Sequence, residues 1–416
     1  MNRLNEFREL LPGQDLTFLA GTEYVYHCHH YNLFHDQTID DGLGEEASWT
    51  LRVSAAHEAF RGLLQRIFQR ADADTASEKL ALAAEVFAWM GHGRVDLSLA
   101  RDAGSARASH LHYGFSWRDK YGDIVKRTHP ADAVAAGFLA ATSELAYGLP
   151  AGSAACRETS CVAAKAAECR FEVSVGEPKP LNDLVTMGAV AELVGPPTSG
   201  IEEHTISQIA DGLREFLRSV QGDQHGLIPA FGVFVSMHLS DYYNRTAYEM
   251  LHAVERSAPA GAGVAEALMR EAGIQCAFNT FGNILLSPEW EGLVGAPSGD
   301  PLQTLVFCTA IARGLGFGHW TVQSFDVGKR FELVAPCCYD TPFYLRNYGR
   351  SEKPRSYFLQ GAAQAMMVLA HHVPWTERPR FTPEFYQKLF RTKLPWAANQ
   401  TRCVTQGHAT CEVVVA

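Results

Sequence analysis

Apolar residues recur along the chain in two alternating rhythms, and the order of those rhythms is run through twice. Leu4, Phe7, Leu10 and Leu11 stand at helical spacing and predict a short amphipathic helix over residues 1–12, closed by Pro12-Gly13. Thr22 to His30 alternates aromatic and β-branched residues with others, which predicts a strand; Tyr31 to Asp36 then begins a helix. Residues 47–70 (Leu51, Phe60, Leu63, Leu64, Ile67) and 76–90 (Leu80, Leu82, Val86, Phe87, Met90) return to helical spacing. After Gly91-His92-Gly93 the period changes to two, first at Val95, Leu97 and Leu99, then at Leu111, Tyr113, Phe115 and Trp117, which predicts two antiparallel strands. An alanine-rich helix from Ala131 to Tyr147 leads into a hairpin bearing cysteines.

Residues 176–200 carry Pro178, Pro180, Pro196, Pro197 and several glycines, a composition that breaks regular elements and suits a linker. Beyond it the parts recur in order. Leu213-Arg-Glu-Phe216 echoes Leu4-Asn-Glu-Phe7, Phe231 to Leu239 echoes the first strand, and Tyr243-Asn244 echoes Tyr31-Asn32. Leu359-Gln-Gly361-Ala-Ala echoes Ala135-Ala-Gly137-Phe-Leu, and a second cysteine hairpin closes the chain. A shared order of weak matches points to internal duplication. The expected division is a first domain over 1–175, a linker over 176–200 and a second, degenerate domain over 201–416. The expected fold class is α+β, each domain a small antiparallel sheet with helices mainly on one face, the two packed as a pseudo-dimer.

The two hairpins share a skeleton. The first reads Glu158-x2-Cys161-x7-Cys169-x-Phe171 and the second Cys403-x3-Gly407-x3-Cys411. In each, a first thiol, a tight turn and a second thiol at the head of an apolar strand bring two sulfurs face to face. These motifs resemble the end of the 4-vinyl reductase domain, found in hydrocarbon-binding proteins and in the sensor domains of phenol- and toluene-responsive activators. The resemblance implies a pocket for a small apolar or aromatic molecule and, as in zinc-containing relatives, a structural zinc held by Glu158, Cys161 and Cys169. The family's fourth ligand lies upstream, at a position that falls near Asp132, with Cys156 a nearby substitute. Lys165 stands where the family has glycine. In the second copy Gln400 replaces the glutamate and Ser356 the upstream ligand. The bland alternative is a pair of ordinary buried cysteines.

A second cluster is His27-Cys28-His29-His30, with His35 and Asp36 close behind. On a strand His27 and His29 share one side, Cys28 and His30 the other. Neutral imidazoles with a carboxylate would suit a second divalent metal, and a histidine beside Cys28 would make it a nucleophile. That gives a rival reading, a metal- or Cys/His-dependent enzyme of small-molecule catabolism; the bland one is a partly exposed edge of satisfied histidines. Aromatics form a third set: Trp89, Phe115, Trp117 and Tyr121 in the first copy, Trp320, Phe325, Phe343 and Tyr344 in the second. They are candidates to line the apolar cavity, although core packing suits any one of them.

Composition narrows the classes. The 36 basic and 46 acidic residues give a formal charge of -10, which argues against nucleic acid or an anionic membrane as partner. No stretch approaches the roughly 18 apolar residues of a membrane span, and the first residues lack the apolar core of a signal peptide, so a cytoplasmic location is expected. Ten cysteines without such a signal suit reduced thiols or metal ligands better than disulfides. No nucleotide loop, haem attachment, nucleophile elbow or His-Glu-x-x-His is present. The ATPase and helix-turn-helix modules of aromatic-responsive activators are missing too. The partner expected is a small apolar or aromatic molecule, with a homodimer open.

Overall fold

A computed structural model describes residues 3–125, 127–391 and 395–416. The strands, in chain order, are β1 (Arg8–Leu11), β2 (Leu16–Leu19), β3 (Thr22–Cys28), β4 (Asp96–Leu99), β5 (Ala103–Ala108), β6 (Ala154–Ser160), β7 (Cys169–Val175), β8 (Ile228–Ala230), β9 (Val233–Leu239), β10 (Thr321–Asp326), β11 (Arg330–Ala335), β12 (Ala398–Arg402) and β13 (Cys411–Val415). The helices of the first half are α1 (His29–Leu43), α2 (Glu45–Arg70), α3 (Ala76–Trp89), α4 (His112–Tyr121) and α5 (Ala133–Tyr147), followed by α6 (Met187–Leu193). Those of the second half are α7 (Glu203–Ser219), α8 (Ser240–Ser257), α9 (Ala262–Cys276), α10 (Gly282–Leu285), α11 (Pro288–Val294), α12 (Pro301–Gly314), α13 (Thr341–Tyr348), α14 (Tyr357–His372) and α15 (Pro383–Phe390).

The fold is α+β, with three antiparallel sheets. Two of them have corresponding orders, β4-β5-β7-β6 and β10-β11-β13-β12; the third, β1-β2-β3-β9-β8, takes strands from both ends of the linker. At its centre β3 pairs with β9, Tyr24 opposite Leu239 and Cys28 opposite Val235. Every residue of β3 is buried, so this strand lies inside the molecule with both faces covered. The stretch read as a linker contains α6 and an isolated bridge from Thr186 to Thr22. No helix among the described residues is long and apolar enough to cross a membrane.

Two helix pairs frame the layers, α2 with α5 and α9 with α14. Each crossing depends on the glycine of the echoed motif. A Cβ on Gly137 would stand 2.5 Å from the Ala56 Cβ and the His57 nitrogen, and one on Gly361 would stand 1.8 Å from the Arg270 carbonyl oxygen. Contacts that short do not exist, so only glycine lets these backbones approach.

The sequence rhythms are corrected in three places. The helix expected over 1–12, whose first two residues lie outside the described ones, is replaced over 3–12 by a short 3₁₀ turn, Arg3–Phe7, followed by β1, which pairs with β2 from Arg8 opposite Leu19 to Leu11 opposite Leu16. Residues 111–117 lie on α4 and its cap, since Tyr113, Trp117 and Tyr121 stand four apart and satisfy a helix as well as a strand. The strand expected there is β5, whose alanines, glycine, serine and arginine carry almost no apolar signal. β3 ends at Cys28, which puts His29 and His30 on the first turn of α1 rather than on the strand.

Candidate metal centre and ligand cavity

The cysteine hairpin is built by strict alternation. Ala154, Cys156 and Glu158 of β6 point inward, as do Cys169, Phe171 and Val173 of β7. Glu158 lies opposite Phe171, the register slips before Ser160, and the slip lets the chain turn through Val162–Ala164. Lys165 holds that turn at φ 70°, where Gly407 of the second hairpin has φ 91°. The Val162 amide donates to the Cys169 sulfur at 3.3 Å. Asp132, at the start of α5, completes the group: its amide donates to Glu158 Oε2 at 3.0 Å, while its own Oδ1 accepts from the Gly114 amide at 3.0 Å. Oδ2 faces Cys169 Sγ at 3.2 Å and Cys161 Sγ at 3.9 Å.

One ligand atom from each of Asp132, Glu158, Cys161 and Cys169 lies within 4.8 Å of the others, and no side chain of the four is more than 4% exposed. This buried group could hold a metal ion. Among the described residues no lysine, arginine or histidine forms an ion pair with it. Burial and then the Cys161 thiolate push Asp132 up to about 7, and burial, Asp132 and Cys161 push Glu158 well above the carboxylate range. Cys161, accepting a hydrogen bond from Cys169, is held down to about 5, while Cys169 is correspondingly raised. Four acids thus compete for too little compensating charge. A tetrahedral ion with bonds of about 2.0–2.3 Å needs ligand atoms about 3.3–3.8 Å apart, and the two separations from Asp132 Oδ2 to the thiols, 3.2 and 3.9 Å, lie close to that range.

The fourth member of the buried group is Asp132, not Cys156. Cys156 shares the inward face two residues before Glu158 but lies opposite Val173, outside the group, and burial raises its thiol. The second hairpin keeps the shape, with Ser356 and Gln400 where the first has Asp132 and Glu158. Cys403 and Cys411 sulfurs are 3.6 Å apart and the Val404 amide reaches Cys411 at 3.4 Å. Ser356 donates to Asp340 at 2.9 Å, and Gln400 accepts from Gln360 at 2.9 Å.

The N-terminal cluster does not converge. His27 enters an aromatic box, stacked on Tyr31 at 3.8 Å and on Phe317 at 4.8 Å, with Nδ1 3.4 Å from Cys276 Sγ and Nε2 buried without a partner. Among the described residues no histidine ring hydrogen-bonds Cys28; its sulfur accepts from the Thr280 hydroxyl at 3.1 Å and from the His30 and Tyr31 amides. His29 accepts from the Phe234 amide at 3.1 Å and packs on His30. His35 pairs with Thr246 at 2.8 Å, and Asp36 is held by the Arg52 guanidinium at 2.7 Å and the Tyr242 hydroxyl at 2.8 Å. Burial holds His29 near 4 and His35 near 3, so both are neutral at pH 7. No second group with metal-holding geometry occurs among the described residues.

Around these side chains lie buried polar networks without a motif. Arg52, fully buried, also bonds Asp40 at 2.6 Å and Ser48 at 3.0 Å. Asn32 bridges His112 at 2.8 Å and Ser236 at 3.1 Å, and Tyr113 meets His238 at 2.9 Å. Apart from Ser48, one helical turn before Arg52, each partner lies twelve or more residues away, so no local pattern announces it.

Next to the His27 box lies a cavity of about 40 Å³, room for a few waters. Tyr31, Tyr243, Tyr248, Tyr339, Tyr357 and Phe358 wall it, with His35, Asp340, Asn244 and Arg355 as polar groups and Met269 among the rest. Burial pushes Asp340 up to about 7. The aromatics expected to share one pocket are dispersed. Trp89 lies under the Arg8 guanidinium in a surface groove, Phe115 packs on Phe234, and Trp117 packs with Tyr121 beneath Arg127. Trp320 is core beside Phe317, Phe325 touches His371, and Phe343 and Tyr344 stack around Tyr248.

No family model matches the chain, and no curated protein does. Among solved structures it is similar to the phenol-responsive sensory domain of the transcription activator PoxR, crystallised with phenol. The two share 14% sequence identity, with a TM-score of 0.35 over 41% of this chain and 86% of that one. So weak a likeness carries no argument about the site. The donor set and the tyrosine-walled cavity carry it instead.

Proposed function

We propose that the protein binds a small apolar or aromatic molecule, that it is a tandem protein of the 4-vinyl reductase type, and that a structural zinc ion holds its first half together. The corresponding strand orders of the two outer sheets support the tandem reading, and the β3–β9 pair gives an intramolecular pseudo-dimer its seam. The zinc would be held by Asp132, Glu158, Cys161 and Cys169, where it replaces the missing positive charge and ties the hairpin to the start of α5. With all four donors from protein and all buried, no position is left open for substrate, which makes the role structural.

The observation that carries the binding reading is the cavity itself: a wall of five tyrosines and a phenylalanine, with few polar groups and a carboxyl, Asp340, that burial favours in its protonated, donating form. A ring entering it displaces Met269, the lining side chain with the most adaptable shape. The test is titration of the full chain with phenol and toluene by calorimetry, beside Ala247→Phe, which projects a ring into the cavity from α8. The wild type is expected to bind and the variant to lose binding with its metal content unchanged. Equal binding by both would place the ligand elsewhere.

A further inference from the structure

We propose a second binding site, for a small monocarboxylate with a flat apolar body, in the cleft between the β1–β3 hairpins and α7. The cleft has a volume of about 370 Å³, within the range of small-molecule pockets. Its floor is Tyr24 and Tyr26, alternate residues of β3 and therefore on one face, both buried. Its walls bring Arg8 from β1 to face Arg214 and Arg218, which stand four apart on one side of α7.

The ion pairs are shared unevenly. Arg214 is paired with Asp15 and Asp211, and Glu9 is taken by Arg70 at 2.7 Å and the Gly21 amide at 2.8 Å. Arg8 has no carboxylate partner among the described residues. Its guanidinium donates to the Leu217 carbonyl and the Met237 sulfur, both at 3.3 Å, and its Nε is buried without any partner. Arg218 likewise forms no ion pair there, and Glu215 is the single lining acid left over. The lining is formally balanced, Arg8, Arg214 and Arg218 against Glu9, Asp211 and Glu215, yet none of these acids pairs with Arg8 or Arg218, which leaves two guanidinium groups without a carboxylate among the described residues. A thioether is a weak acceptor for a guanidinium; a carboxylate matches its fork in two parallel hydrogen bonds. The tyrosine floor selects a flat apolar body behind that carboxylate. The site is separate from the tyrosine-walled cavity and does not depend on the reading given to it.

The test is calorimetric titration of the full chain with benzoate and with benzamide, its neutral counterpart. Benzoate is expected to bind more tightly than benzamide, and Arg218→Gln, on an exposed side chain, to weaken benzoate roughly tenfold or more while benzamide is unaffected. Ala247→Phe should leave benzoate binding intact. The proposal is overturned if benzoate does not bind, if the two ligands bind alike, if Arg218→Gln changes nothing, or if Ala247→Phe removes benzoate binding.

Discussion

Replacing Gly114 by alanine tests the metal centre without touching a ligand. Gly114 lies in α4, and a Cβ built there would stand 2.4 Å from Asp132 Oδ2 and 3.3 Å from Cys169 Sγ. The helix backbone itself would welcome the change, since alanine is favoured over glycine in a helix interior by about 1 kcal/mol. The clash acts against that gain. Asp132 is fixed by the Gly114 amide on one oxygen and by the thiols on the other, so the methyl group must drive its carboxylate out of line. Overpacking of this kind costs about 1–3 kcal/mol, which exceeds or offsets the helix gain. Disturbing the support of a metal ligand weakens metal affinity about 10–100-fold, or about 1.4–2.7 kcal/mol. The assay is zinc competition with a chromophoric chelator, run beside thermal unfolding of the loaded protein. The expected result is weaker zinc binding and a lower melting temperature. If Gly114→Ala instead melts higher and holds zinc as tightly as the wild type, the four side chains do not form a metal centre.

Two further substitutions probe the buried polar interior. Arg52→Met leaves Asp36 and Asp40 without their shared guanidinium, and urea unfolding should show a loss of about 3–5 kcal/mol. His92 is held near 3 by burial, against 6.5 for a free imidazole, so the folded state stays neutral while the unfolded chain takes up a proton as pH falls below 6.5. Its contribution is complete above that pH and shrinks below it. His92→Gln should therefore lose about 2 kcal/mol less than the wild type between pH 7 and pH 5, whatever its stability at pH 7. An identical pH dependence for the two proteins would refute the assignment.

The elements most legible in the sequence are those whose burial follows a single rhythm. β3, α2, α3 and α5 fall close to where apolar spacing puts them, and the hairpin's two thiols face inward as its alternation requires. Failures came where one pattern satisfies two geometries, as Tyr113, Trp117 and Tyr121 do, or where an internal strand is made of small residues, as β5 is. The N-terminal histidines were misplaced for a sharper reason. A boundary shift of two residues moves His29 and His30 from a strand to a helix and sends their rings to different neighbours. The hairpin's repeated spacing singled out Cys161 and Cys169, and the resemblance to the 4-vinyl reductase domain implied Glu158 and a further ligand near Asp132. Arg52 and His112 had no such herald, because long-range partners give a buried polar residue its place and leave no period in the chain.

The most direct measurement is the mass of the intact chain, purified without chelator and sprayed under non-denaturing conditions, beside Cys169→Ser and Cys411→Ser. The account predicts a mass excess of one zinc ion for the wild type and for Cys411→Ser, and none for Cys169→Ser. A folded wild-type chain that carries no metal after incubation with zinc, or a Cys169→Ser variant that keeps it, would contradict the account.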